Sequence, residues 1–333
     1  SYVNSQGIGY HLQEDSLQMK PSFLPAPLKR GDTLGIVAPA GRLIDVKRFH
    51  SGVAILREMG FNVKHPRELW PGSDHLADTD GNRTAEFNGF LKDPEVKALM
   101  ALRGGYGCLR MMDTIDLIAA TTCQKMVIGF SDITVLLNHL YQKTSLICLH
   151  GPVVTSLGDA DSSSLERFFL CLTGRWDEPI HVREIEILRD GPTINAPLVG
   201  GNLASLVSLI GTPYDFSWDD RIVFLEDINE PAYKIDRMLT QLYLAGKFAR
   251  VEGIILGEFS GLHSSDKVQQ DRYLEGIWKR VLELCGERNI SVWGNFPCGH
   301  SGRNLTLPLG ALAQMQSQKS RLVFSEARTG NVI

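Results

Sequence analysis

Short apolar runs recur through the first half of this chain, and helical patterns separate most of them. "TLGIVAPA" (33–40) reads as a strand, after which Val46, Phe49, Val53 and Leu56 recur at helical spacing until Gly60, a C-terminal cap. "FNVKH" is a second strand, "EVKALMALRGGYG" a third running into glycines, "KMVIGF" a fourth and "SLICLHGP" a fifth. Strand and helix in alternation predict an α/β fold with a parallel sheet covered on both faces.

From Asp159 to Asn195 the pattern loosens into polar and mixed sequence, which reads as a crossing between domains. Beyond it come "APLVGGNLASLVSLIG", "RIVFLEDI", a helix over about 232–245, "VEGIILGEF", an amphipathic stretch over 267–285 and a closing "RLVFSEA", a separate α+β unit. The expected organisation is therefore 1–25 as a leader or disordered extension and 26–158 as an N-terminal α/β domain. Residues 159–195 are expected to link it to a C-terminal domain at 196–333. A chain of 333 residues with 43% apolar content can bury two such cores.

The formal net charge of −4 comes without a long basic block, which argues against nucleic acid as a partner. No segment reaches the length of a membrane span, and the first twenty residues lack the basic start and apolar core of a signal peptide. The six cysteines, Cys108, Cys123, Cys148, Cys171, Cys285 and Cys298, form no C-x-x-C pair, which fits a reducing cytoplasm and no zinc site.

In "KMVIGFSDITVLLNHL", the residues Ile133, Leu136, Leu137 and Leu140 fall on one helical face, so a helix starts directly after Ser131. Strand, Gly-x-Ser, helix is the layout of a nucleophile elbow, which lifts a serine oxygen out of a sheet beside a helix N-terminus. Ile133 stands where the second glycine of G-x-S-x-G would be. A Ser-Asp helix cap at a strand end gives the same letters.

A nucleophilic serine needs a base, and the base needs a group to orient it. Glu226 and Asp227 end an apolar strand before a loop, where either is an acid or a cap. Of nine histidines, His300 in "NFPCGHSGRNLTLPLG" lies in a glycine-flanked loop where a side chain is presented rather than packed. His139, on the helix after the elbow, and His150, at the end of an apolar strand, read as structural. Cys298 and His300 stand close together, yet no second cluster completes a metal-ligand set.

The ordered set "GIVAPAG", "ALRGGYG", "VIGFSDITVLLNHLYQKTSLICLHGP", "LVGGNLASL", "VFLEDINEPAYKIDRMLTQL", "IILGEFSG" and "GHSGRNLTLPLG", from Lys29 to Gly310, resembles the serine LD-carboxypeptidase family, which includes the microcin-immunity peptidases. The resemblance implies a catalytic triad of Ser131 as nucleophile, Glu226 as orienting acid and His300 as base. The preference for Glu226 over Asp227 comes from it. It further implies an N-terminal domain like that of class I glutamine amidotransferases, an active site between the domains, and a homodimer. The implied reaction is hydrolysis of the amide to the terminal D-Ala of a small murein peptide, in cytoplasmic peptidoglycan recycling. No metal or other cofactor is expected.

An oxyanion hole needs two donors about 3 Å from the developing charge. Asp132 offers one N–H through the elbow and Gly105 of "RGGYG" the second; an ordinary glycine turn is the plain alternative, and no P-loop lysine supports a phosphate cradle. The leaving residue's carboxylate calls for a cation, for which Arg103 and Arg303 are candidates with neither assigned. Ser301 stands where the family often has glycine. Two alternatives remain: a microcin-immunity-type amidase, which would need an aromatic platform among Tyr106, Tyr214, Trp218 and Trp293, and a non-catalytic peptide- or nucleotide-binding module.

Overall fold

The computed structural model describes residues 21–325 apart from 67, 73 and 262–264. The N-terminal half contributes strands β1 (Thr33–Val37), β2 (Asn62–Lys64), β3 (Val96–Ala101), β4 (Met126–Gly129) and β5 (Cys148–His150). They alternate with helices α1 (Val46–Glu58), α2 (Asp80–Lys92), α3 (Leu117–Cys123) and α4 (Thr134–Thr144). The five strands pair in parallel in the order β5-β4-β3-β1-β2. Every residue of β4 is buried, as expected for a strand covered on both faces. Asp45 starts α1 by accepting from the N–H groups of Lys47 (3.0 Å) and Arg48 (3.1 Å), and the helix then buries Phe49, Val53 and Leu56.

The C-terminal half adds a mixed eight-stranded sheet. It holds β6 (Ile180–His181), β7 (Glu186–Arg189), β8 (Asn195–Asn202), β9 (Ile222–Ile228), β10 (Gly253–Ser260) and β11 (Ser291–Gly294), and two strands nearer the C-terminus complete it. Its centre, β8-β9-β10-β11, is parallel. Helices α6 (Leu203–Val207), α7 (Ala232–Leu244) and α8 (Lys267–Cys285) belong to this half.

Three boundaries differ from the sequence reading. Residues 21–25, assigned with the extension, are tied to the first sheet: Phe23 donates to Ser145 O (3.0 Å) and accepts from Ile147 N–H (2.8 Å). Residues 1–20 lie outside the described residues. The 159–195 segment carries β6, β7 and a full helix, α5 (Ser162–Leu172), and so is folded. Arg167 of α5 is buried and satisfied by three carbonyls, those of Thr306 (3.1 Å), Glu178 (3.0 Å) and Trp176 (2.6 Å).

The C-terminal unit is also not separate. After the His300 loop, β12 (Leu307–Leu309) leaves the second sheet and pairs antiparallel with β5 at the edge of the first. Strands β13 (Leu312–Gln316) and β14 (Arg321–Ser325) then return to the second sheet beside β8. Three residues of regular pairing are too short to stand out in the pattern of apolar residues.

The two sheets meet where β8 lies on α4. Asn138 clamps the backbone of Gly200 from both sides, its Nδ2 donating to Gly200 O (2.9 Å) and its Oδ1 accepting from Gly200 N–H (3.2 Å). Asn202 N–H donates to Thr134 Oγ1 (3.0 Å) at the first residue of α4. Between them, a methyl at Gly201 would lie 2.5 Å from Thr134 Oγ1, so only glycine permits this approach. Asn138→Ala leaves two buried backbone groups unpaired. The expected loss is about 2–4 kcal/mol, measured by denaturant unfolding; a loss below about 1 kcal/mol would mean that water replaces the amide freely.

Candidate active site

Strand β4 passes through extended Phe130 to Ser131, whose φ of +63° lies in the left-handed region. For a residue with a side chain this costs about 1 kcal/mol, and it turns the chain abruptly from strand into a 3-10 turn (Ser131–Ile133) and then α4. Gly129 explains the tolerance of Ile133 at the second small-residue position of the elbow. A methyl on Gly129 would sit 2.8 Å from Ile133 Cγ2, so the turn has room for one of the two side chains. Asp132 is buried beneath the elbow and accepts from Cys108 N–H (2.9 Å). Burial pushes its pKa up, with the hydrogen bonds from this backbone opposing.

Gly104 is the glycine of "RGGYG" in contact with the serine. A methyl there would lie 2.9 Å from Ser131 Cβ and 3.0 Å from Oγ. Gly105, with φ +123°, packs on the Gly41 backbone and lines the same cavity.

The two adjacent acids face different surroundings because alternate strand residues point to opposite sides. Glu226 is fully buried, and its Oε2 lies 2.8 Å from His300 Nδ1. Asp227 is occupied with α6: it accepts from Asn202 Nδ2 (3.2 Å), Ala204 N–H (2.9 Å) and its neighbour Ile228 N–H (2.8 Å). Burial and the Glu226 charge push Asp227 up to about 6. For His300, burial pulls the pKa down, but the charge and hydrogen bond of Glu226, with Asp227 and Glu258 behind it, prevail and raise it. With Nδ1–H assigned to Glu226, Nε2 is the free acceptor.

Sequence reasoning missed Glu258. Its N–H donates to Cys298 O (2.9 Å), and its Oε2 accepts from Ser301 N–H (3.0 Å). The Ser301 hydroxyl also bonds Glu258. Ser301 thus ties the His300 loop to β10. The available signal was positional, since Glu258 lies near the end of "VEGIILGEF" just as Glu226 lies near the end of "RIVFLEDI".

Ser131 and His300 line one cavity of about 450 Å³, together with Gly104, Gly105, Phe130 and Arg103. The Phe130 and His300 rings are 4.8 Å apart. Arg103 donates to Arg42 O (3.1 Å) and pairs with no carboxylate among the described residues; burial lowers its pKa. Arg303 faces elsewhere, pairing with Glu184 (3.0 Å) and lining a different cavity. The four aromatic candidates are absent from the lining: Tyr106 packs on His75, Tyr214 on His139 and Trp218 on Phe248, while Trp293 Nε1 donates to Ser317 Oγ (2.9 Å). Among the described residues no three of His, Cys, Asp and Glu gather to hold a metal. A serine on a sharp elbow and a histidine fixed to a buried carboxylate, on one cavity, are equipped for acyl transfer.

Family models match both halves of the chain. Residues 34–151 match the LD-carboxypeptidase N-terminal domain, and residues 195–315 match the LD-carboxypeptidase C-terminal domain. The chain is 32% identical over 308 residues to the "Probable murein peptide carboxypeptidase" of Bacillus subtilis, covering 91% of this chain and 94% of that protein. Muramoyltetrapeptide carboxypeptidase from Oxalobacter formigenes superposes with a TM-score of 0.71 at 27% identity, covering 88% of this chain and 97% of that one. Microcin C7 self-immunity protein MccF in complex with aspartyl sulfamoyl adenosine superposes with a TM-score of 0.80 at 26% identity, covering 91% and 98%. With both domains matched and a full-length relative at this identity, the chain belongs to the LD-carboxypeptidase family of peptidases.

Proposed function

We propose that this protein is a serine-type LD-carboxypeptidase that releases the terminal D-Ala of murein tetrapeptides in cytoplasmic peptidoglycan recycling, acting as a homodimer. The observation that carries the reading is the 2.8 Å contact of His300 with buried Glu226 on the cavity that also holds Ser131. Six free cysteines agree with a reducing compartment.

In this mechanism Ser131 Oγ attacks the scissile carbonyl while His300 Nε2 accepts its proton, and Glu226 holds Nδ1–H and the developing imidazolium. The N–H groups of Asp132 and Gly105 receive the oxyanion. His300 then protonates the departing D-Ala amine, and water, deprotonated by the same ring, hydrolyses the acyl-enzyme. Arg103, a cation on the cavity without a carboxylate partner among the described residues, receives the carboxylate of the leaving residue.

MccF supplies the second reading, an amidase acting on aminoacyl nucleotide analogues. It ranks lower here because a flat base is usually gripped by stacking, at about 1–3 kcal/mol per base, and none of the four candidate aromatics lines the cavity.

Mass spectrometry of a murein tetrapeptide incubated with the protein should find D-Ala released, little release from the L-Ala analogue, and weak or no cleavage of an aminoacyl-sulfamoyl adenosine. Turnover of the nucleotide compound with an untouched tetrapeptide would reverse the ranking. Ser131→Ala should fold normally and lose about 10³-fold or more in kcat; comparable activity would end the triad reading.

Because the base must be neutral and its folded pKa is raised above the ordinary value of about 6.5, kcat/KM should fall with acid along a limb lying above about 6.5. A limb near 5 would contradict the Glu226 pairing. Arg103→Ala should raise KM about 10- to 100-fold, with Arg303→Ala close to the parent; equal effects would remove Arg103 from the substrate carboxylate.

A further inference from the structure

We infer that His150 is a positioning residue for the acid of the active site, its ring N–H holding the second oxygen of Glu226 through one buried water. The inference rests on the Ser131, His300 and Glu226 reading above. Glu226 is fully buried, yet among the described residues only Oε2 has a partner; Oε1 is shut away from solvent without one. His150 is also fully buried, and neither of its ring nitrogens has a partner among the described residues.

The two lie in one neighbourhood. His150 closes β5 directly opposite Gly129, at the end of the elbow strand, and opposite Leu307 of β12. Its ring centre is 4.9 Å from that of Phe224, two residues before Glu226 and therefore on the same face of β9. It is 6.0 Å from the Phe130 ring, which in turn contacts His300 at 4.8 Å. Two imidazoles thus flank one phenyl ring on the side of the sheet that carries the acid.

A buried carboxylate oxygen without a donor and a buried imidazole without an acceptor are each costly, and each is what the other lacks. Three of the neighbouring groups are committed elsewhere, while the Thr306 hydroxyl, beside Gly151, is a further buried group without a partner among the described residues. Asp227 caps α6, Glu258 holds Ser301, and the Cys298 thiol, pushed up by burial, donates to Asn304 Oδ1 (3.2 Å). Burial drives His150 down to about 4, against the pull of Glu226, so near neutral pH it carries one N–H and no charge. It therefore donates to the bridging water, which donates to Glu226 Oε1, without competing with His300 for the carboxylate's charge.

Donation to Oε1 draws charge away from Oε2. Its removal strengthens the hold of Glu226 on protonated His300, which raises the pKa of the base. The test follows the His300 ring titration by NMR in the free parent, His150→Phe and His150→Gln proteins, alongside the pH profile of tetrapeptide cleavage. In His150→Phe the His300 midpoint and the acidic limb should both move up by about half to one unit, with kcat/KM down about tenfold. His150→Gln keeps an N–H donor and should restore the midpoint toward the parent's. An unmoved midpoint in folded His150→Phe overturns the role, because lost packing alone would lower the rate without moving the titration.

The parent supplies a check independent of folding in the variants. Its His150 ring proton should resonate downfield and exchange slowly as a hydrogen-bonded N–H, and an unbonded position overturns the inference. These NMR readouts need no substrate. Absent tetrapeptide cleavage would therefore sink the proposed function while leaving the His150 result readable.

Discussion

The Asn138–Gly200 clamp is the contact on which the geometry of the candidate site depends. One side chain satisfies both backbone groups of a residue in the opposite sheet, and it does so one helical turn after the elbow. Since α4 begins at the elbow and β8 leads into the helix capped by Asp227, the clamp fixes the serine of one sheet relative to the acid strand of the other. The glycines of "LVGGN" allow the approach, and Ser205 extends it with a hydroxyl that reaches Ser131 O at 3.5 Å.

The three acids near His300 divide the labour. Glu226 meets the imidazole, Asp227 fastens α6, and Glu258 fastens the loop that carries His300. Three carboxylates in so small a volume would repel one another if bare. Each instead accepts hydrogen bonds from a different donor set, which lets the negative field act on one histidine while the acids remain separated. The resulting rise in the His300 pKa belongs to the cluster as well as to the pair.

Much of this was legible in the sequence where local physics sets the outcome. The elbow announced itself because a fully buried strand, a serine and an amphipathic helix follow one another without a linker, and α8 matches its apolar periodicity from Lys267 to Cys285. Glu226 was separated from Asp227 by the resemblance alone, because strand alternation says only that the two point apart; the partners of Asp227 are far off in sequence. Strand β12 was hidden for the opposite reason, its three residues being a strand only because an edge of the first sheet is there to receive them. Glu258 and Ser301 likewise acquire meaning only as a pair across 43 positions. The choice of Gly104 over Gly105 as the neighbour of Ser131 depends on backbone direction, which a run of glycines does not encode.

The return of the chain from the second sheet to the first has a consequence for synthesis. The serine leaves the ribosome well before the acid, the acid well before the histidine, and the segment that pins the histidine loop to the first sheet comes later still. A partly made polypeptide therefore carries Ser131 before Glu226 and His300 exist. The cavity shared by Ser131 and His300 is complete only when the last strands close, so translation itself sets the order in which its walls are built.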